Sequence, residues 1–232
     1  MFFLHVIEDN EISQQYASEG LKHFKDVFDV ELTLFPAYTP DYLSPELRFA
    51  DFKVSTNKRK LKHPLHGTEK ACFSTHFELW KRCVKLNRSI FCFEHDARLN
   101  PEITEPYDIK QKLSQFTQKG SDYRRDGGIA FMGRPMATAY MISPEYARNI
   151  IKWVYKHQKQ RRNINNPNSK GINMQVDTFL NEYHNSYMFL KGPLDPDDVQ
   201  GKKGERRWRK REVFIQDKSH GAIVFHGPVE DR

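Results

Sequence analysis

The chain has little cysteine: three residues in 232, namely Cys72, Cys83 and Cys92. An odd number, with Cys83 and Cys92 inside apolar patterns, reads as buried thiols in a reducing compartment rather than a disulfide scaffold. No apolar run approaches the ~18 residues of a membrane span. The apolar start from Met1 to Ile7 lacks a basic leader and meets Glu8-Asp9 at once, so it reads as a first strand and not a signal peptide. Repeats and low-complexity segments are absent. The turn after the first strand lacks the glycines of a dinucleotide fingerprint, which disfavours nicotinamide chemistry. Together these absences describe a cytoplasmic globular chain.

What is present is charge. Apolar residues make up 38% of the chain and charged ones 29%, with a net charge of +7 and a pI near 9.2. The length suits one large domain or two small ones with a full core. A basic balance of this size points to an acidic partner: nucleic acid, anionic lipid or a phosphorylated glycan.

Phe2 to Ile7 predicts a strand, Ser13 caps a helix running to about Phe28, and the alternating Val30 to Phe35 predicts a second strand. Strand, helix and strand in so short a span form a βαβ unit with a right-handed parallel crossover. Residues 39–68 are proline-punctuated and basic around Asn57 to Lys60. They read as a solvated loop or as a flap whose cations meet phosphates. Phe73, Phe77, Trp80 and Val84 then recur at helical spacing. Ser89 to Phe93 is a short buried strand that empties into Glu94-His95-Asp96. Further on, a helix is expected around Ile109 to Thr117 and strands at Gly127 to Gly133 and Ala137 to Ser143. Ser143-Pro144-Glu145 is a helix start, with Ser as N-cap and Pro at the first helical position. Ala222 to Phe225 predicts a last strand, ending at His226.

Acids at the C-terminal end of a buried strand stand where open α/β sheets place ligand chemistry. Read as extended chain, Glu94 and Asp96 point the same way and share one Mn²⁺ or Mg²⁺, while His95 faces away. The plain alternative is a capping Asp and an ordinary strand-end Glu. His226 either completes the metal shell or bonds a loop. Lys70, Arg98 and Arg134 are phosphate-clamp candidates or surface charges. Asp177 sits at the start of a short helix, where an acid also balances the helix dipole. In the tail, seven of the ten residues from Lys202 to Arg211 are cationic. Within them Arg206, Arg207, Trp208, Arg209, Lys210 and Arg211 suit phosphate contacts with base stacking, or an anionic membrane surface.

Gly67, Lys70-Ala71-Cys72, Thr75-His76, Trp80 and Glu94-His95-Asp96 together resemble glycosyltransferase family 25, whose members include lipooligosaccharide galactosyltransferases. That family carries a Gly-x-x-x-Ala/Gly-Cys-x-x-Ser-His-x-x-x-Trp helix, then an apolar strand ending in Glu-Asp-Asp. Thr75 replaces the family Ser, and His95 replaces the middle Asp. Phe35-Pro36-Ala37, the strand from Thr138 to Ser143 and Val176-Asp177 are weaker echoes. The resemblance implies an α/β chain with a single GT-A-like, Rossmann-related domain and a mixed, mainly parallel central sheet. Residues 1–100 would form the nucleotide-sugar-binding half and residues 101–232 the acceptor half.

The same resemblance implies a nucleotide-sugar donor near Lys70, His76, Arg98 and Thr138, with Tyr140 also beside the substrate. It implies a divalent metal (Mn²⁺ or Mg²⁺), an inverting transfer, and Asp177 as the base with Glu182 behind it. For the acceptor, the Trp-containing basic run points first to a hydroxymethylated base in DNA, as in phage-type DNA modification. A lipooligosaccharide glycan is the alternative, with peripheral membrane contact. A non-catalytic module binding nucleotide sugar or nucleic acid is the second alternative.

Overall fold

The computed structural model describes residues 1–47, 67–99, 128–131, 133–134, 136–159, 176–177, 179–180, 183 and 214–216. Strand β1 (Phe2–Val6) leads into helix α1 (Glu11–Phe28) and strand β2 (Thr33–Pro36). Helix α2 (Gly67–Leu86), strand β3 (Ile90–Phe93) and strand β4 (Ala97–Leu99) follow. Then come β5 (Ile129–Phe131), β6 (Gly133–Arg134), a 3-10 turn (Met136–Thr138), β7 (Ala139–Ile142), helix α3 (Pro144–Lys159) and β8 (Phe214–Gln216).

Five strands form the central sheet in the order β2-β1-β3-β7-β5. β1 pairs in parallel with β2 and β3, whereas β7 runs antiparallel to β3 and β5. The sheet is therefore mixed, as expected, and the fold is a Rossmann-like α/β arrangement. Alternation along the strands sorts the core. Phe3, Ile90, Cys92, Tyr140 and Ile142 share a cluster with Phe73, Phe77 and Trp80 of α2 and with Tyr146, Ile150 and Val154 of α3. Leu4, Val6, Phe91, Phe93, Ala139 and Met141 share the other cluster with Ala17, Phe24 and Phe28 of α1. Strands β1, β3 and β7 have both faces covered, which is why their residues read as near-continuous apolar runs. Among the described residues no helix is long and apolar enough to cross a membrane.

Two boundaries differ from the sequence reading, each for a local reason. The N-cap of α1 is Asn10, not Ser13: its extended backbone turns the side chain so that Oδ1 accepts from Ser13 N at 2.8 Å. Ser13 lies inside the first turn, and its Oγ accepts from Ile7 N at 2.9 Å, tying the helix to the end of β1. Replacing Asn10 with Ala should therefore cost about 1 kcal/mol and lower the melting temperature by roughly 2–4 °C, as a thermal unfolding scan would measure.

At the other end Asp29 adopts a left-handed conformation (φ 51°), and Val30 N donates back to Phe24 O at 3.3 Å. Val30 thus belongs to the helix stop, and its apolar side chain packs on α1 instead of starting β2. The later start to α3 follows the sequence reading, with Tyr146 N donating to Ser143 Oγ at 3.2 Å. Gly128 before it has φ +92° and lies so close that an added Cβ would stand 2.2 Å from Ser143 Oγ. Only glycine fits there.

A second, three-stranded sheet in the order β4-β8-β6 sits beyond the end of β3. β8 is short, and the sequence reading placed no strand there. The expected helix at Ile109 to Thr117 and the strand at Ala222 to Phe225 lie outside the described residues.

Candidate functional site

The parallel trio sends the C-terminal ends of β1 and β3 to one edge of the sheet. β7 begins at the same edge because it runs the opposite way. His5 on β1, Glu94 just past β3 and Thr138 just before β7 meet there, and α2 lays His76 over them. His5 and His76 are buried, at 6% and 0% exposure. One ligand atom from each of His5, His76 and Glu94 lies within 4.8 Å of the other two. His76 Nε2 and Glu94 Oε1 are 4.0 Å apart.

The segment after β3 is a turn rather than extended chain, closed by Ala97 N donating to Glu94 O at 2.9 Å. Side chains therefore do not alternate as expected. His95 does not face away: it lines the same cavity as Glu94 and Asp96, with His5, Ile7, Ala37, Tyr38, Cys72 and Thr75. That cavity has a volume of about 70 Å³, room for an ion with its waters rather than for a whole nucleotide sugar. Arg98 holds the turn in place. Its Nη1 donates to His95 O and Ala97 O, and its Nη2 to Tyr16 O and Glu19 Oε2, at 3.0–3.4 Å. The guanidinium expected at a phosphate thus clamps the turn to α1.

The 3-10 turn Met136–Thr138 connects two of the carboxylates picked from sequence. Thr138 Oγ1 donates to Glu94 Oε2 at 3.1 Å, and Glu94 N donates to Thr138 O at 3.0 Å. One residue earlier, Ala137 N donates to Asp177 Oδ1 at 2.7 Å. Phe179, two residues on, packs at 5.7 Å on Trp80 and at 5.0 Å on Phe73 of α2 and so anchors the segment that carries Asp177. Burial raises the Asp177 carboxyl above its ordinary value, and the Ala137 amide offsets only part of that.

Electrostatics mark the pocket as a place for positive charge. Burial, then Glu94, Asp177, Asp96 and Glu69 in that order, pushes the Cys72 thiol well up. Glu94 and Asp96 line the cavity beside Cys72, and Asp177 and Glu69 add to the negative field there, in a chain whose net charge is +7. The histidines do not cancel them. Burial lowers His76 to about 3 and, with Arg98, His95 to about 4. His5 is lowered well below its ordinary value by burial and by the two other imidazoles. All three rings are neutral near pH 7, the form that binds metal. His5 Nε2 and His76 Nε2 are buried without a hydrogen-bond partner among the described residues. Buried, unmet nitrogens beside carboxylates fit a divalent cation.

Of the other expected residues, Lys70 lies partly buried in the first turn of α2. Tyr140 is fully buried: its hydroxyl is 2.8 Å from His76 Nδ1 and receives Trp80 Nε1–H at 3.0 Å. It supports His76 from behind instead of facing a substrate. Glu182, His226 and the run of Arg206, Arg207, Trp208, Arg209, Lys210 and Arg211 lie outside the described residues. The sequence reading passed over His5. The available signal was a lone imidazole in an otherwise apolar strand, near the strand end where ligands bind.

Comparison with known proteins adds one match. The family described as glycosyltransferase family 25 (LPS biosynthesis protein) matches residues 10–126, half of the chain. No curated protein matches.

Proposed function

The chain belongs to glycosyltransferase family 25, and from that premise we propose that it moves a sugar from a nucleotide-sugar donor to a hydroxyl of a lipopolysaccharide-type glycan. The observation that carries this reading is the 3-10 turn that ties Glu94 and Asp177 to successive residues, Thr138 and Ala137, beside a small acidic cavity. Leaving-group stabilisation and proton removal need two carboxylates with different tasks, and their surroundings here differ. Glu94 is bonded by a hydroxyl and faces an imidazole, which suits a standing charge. Asp177 is buried and raised, which suits a base working nearer neutral pH.

A divalent cation held by Glu94 and Asp96 would neutralise the diphosphate as it departs. Thr138 fixes the Glu94 carboxylate plane, and Arg98 fixes the turn carrying Asp96. Asp177 takes the proton from the acceptor hydroxyl, which attacks the anomeric carbon from the face opposite the leaving group, so the transfer inverts. Lys70, on the first turn of α2, would supply a cation for the donor phosphates. The family description favours a glycan over the DNA base suggested by Arg206 to Arg211, and that run also suits the anionic surface on which such glycans are built.

The test is nucleoside diphosphate release from a panel of nucleotide sugars, with Mn²⁺, in the presence of lipopolysaccharide core acceptors or hydroxymethylcytosine DNA. Release stimulated by the glycan is the expected result. Release only with the modified DNA, falling steeply with salt, would transfer the acceptor assignment to DNA. No turnover of any donor with either acceptor would leave a binding module in place of the transferase.

A further inference from the structure

We propose that His5, His76 and Glu94 form a nitrogen-rich metal site that takes a borderline d-block cation, with Zn²⁺ preferred over Mg²⁺. Three observations meet here. The ligand atoms are already gathered, all within 4.8 Å of one another. Around an ion with bonds of 2.0–2.1 Å in tetrahedral array, ligands stand about 3.3 Å apart. The 4.0 Å from His76 Nε2 to Glu94 Oε1 therefore has to close by about 0.7 Å, and the widest pair, within 4.8 Å, by at most about 1.5 Å. The two rings lie 5.1 Å apart at 72° to each other, so they converge edge to face and do not stack.

The second observation is that the nitrogens need a partner. His5 Nε2 and His76 Nε2 are both shut away from solvent and unbonded among the described residues. A buried ring nitrogen without a partner is costly, and a cation satisfies both at once.

The third is the supporting shell, which orients two of the ligands. Trp80 Nε1–H donates into the Tyr140 hydroxyl, and Cys92 is that hydroxyl's further hydrogen-bond neighbour. The same hydroxyl lies 2.8 Å from His76 Nδ1, which fixes the ring and leaves Nε2 facing Glu94 Oε1. With a cation bound, Nδ1 carries the proton and the hydroxyl accepts it, as oxygen-supported imidazole ligands do. Thr138 holds Glu94 Oε2, which leaves Oε1 turned to His76.

Two imidazoles and one carboxylate oxygen are a poor set for Mg²⁺, which demands oxygen in octahedral array, and a good one for Zn²⁺ or Co²⁺. His5 and Glu94 also line the cavity of His95 and Asp96, from which a fourth ligand can enter. This deepens the transferase reading, because Glu94 is a ligand in both. The binding test reads the two imidazoles, to which the transfer assigns no step, so its failure leaves the transferase standing.

The test measures binding, not turnover. Metal-stripped protein is dialysed against Zn²⁺ or Mg²⁺, and bound metal is counted for wild type, His5→Asn and His76→Gln. One Zn²⁺ per chain is expected, held at least tenfold more tightly than Mg²⁺ and weakened tenfold or more by either substitution. Should the variants fail to fold, wild-type protein labelled with ¹⁵N-histidine decides alone. Zn²⁺ should shift the ring nitrogens of two of the ten histidines and leave the rest in place. Mg²⁺ bound as tightly as Zn²⁺, Zn²⁺ affinity unchanged in both folded variants, or no paired imidazole shift would each overturn the proposal.

Discussion

Glu94→Gln is expected to lower the turnover number for sugar transfer by about 10²–10³-fold, the loss seen when a preorganised charge at a reacting centre is removed. The substitution is nearly isosteric. The amide oxygen can still accept the Thr138 hydroxyl that now lies 3.1 Å from Oε2, and the backbone bonds to Thr138 and Ala97 are untouched. The fold should therefore hold, with thermal unfolding close to wild type. What disappears is the charge that weighs most, of the four carboxylates, on the Cys72 thiol. A neutral amide binds a cation far more weakly than a carboxylate does. The deficit should therefore appear in the turnover number with saturating donor, and excess Mn²⁺ should restore only part of it. Activity within threefold of wild type, in a variant that melts normally, would remove Glu94 from the machinery.

How far the sequence reveals this site depends on where each partner comes from. α2 and β3 are legible because their apolar spacing is local: Phe73, Phe77 and Trp80 at helical period, then four consecutive buried strand residues from Ile90 to Phe93. The approach of Thr138 to Glu94 is legible only through resemblance, since β7 reaches β3 by a long-range antiparallel pairing. His5 carries only the weak signal of a lone imidazole near the end of an apolar strand. Its significance arises from the register of β1 against β3, where Leu4 opposes Phe93 and the next step sets His5 level with Glu94, and from α2 crossing above. The contacts of Arg98 are hidden for the same reason: a cation beside an acidic motif suggests a phosphate, and nothing local announces the Tyr16 carbonyl of α1 that accepts from its guanidinium. The turn at Glu94 to Ala97 defeated the alternation rule because alternation holds only while the chain stays extended. β8 eluded the reading because three residues are too few to set a period.

Asp177→Asn separates a base from a structural acid, and the two roles predict opposite combinations of results. The Asn side chain keeps an oxygen to accept Ala137 N, now donating at 2.7 Å to Oδ1. If Asp177 is the base, its loss should cost about 10²–10⁴-fold in kcat/KM. Wild-type activity should rise with pH through a carboxyl value above the ordinary 3.8, because burial raises Asp177 and only its ionised form accepts a proton. That rising limb should vanish in the variant. Stability should move the other way. A carboxyl raised in the folded state binds its proton more tightly folded than unfolded. Its contribution is therefore most favourable below 3.8 and is lost as pH climbs to the raised folded value. At pH 7 the ionised carboxylate is a net burden on the fold, since burial outweighs the Ala137 bond. Asp177→Asn lifts that burden, so its melting temperature at pH 7 should equal or exceed wild type while activity collapses, as for groups kept at some cost to the fold for their chemistry. A variant that loses stability and activity together would make Asp177 a helix-end anchor. Unchanged activity with unchanged pH dependence would send the search for the base to another carboxylate, beginning with Asp96, which lines the same cavity.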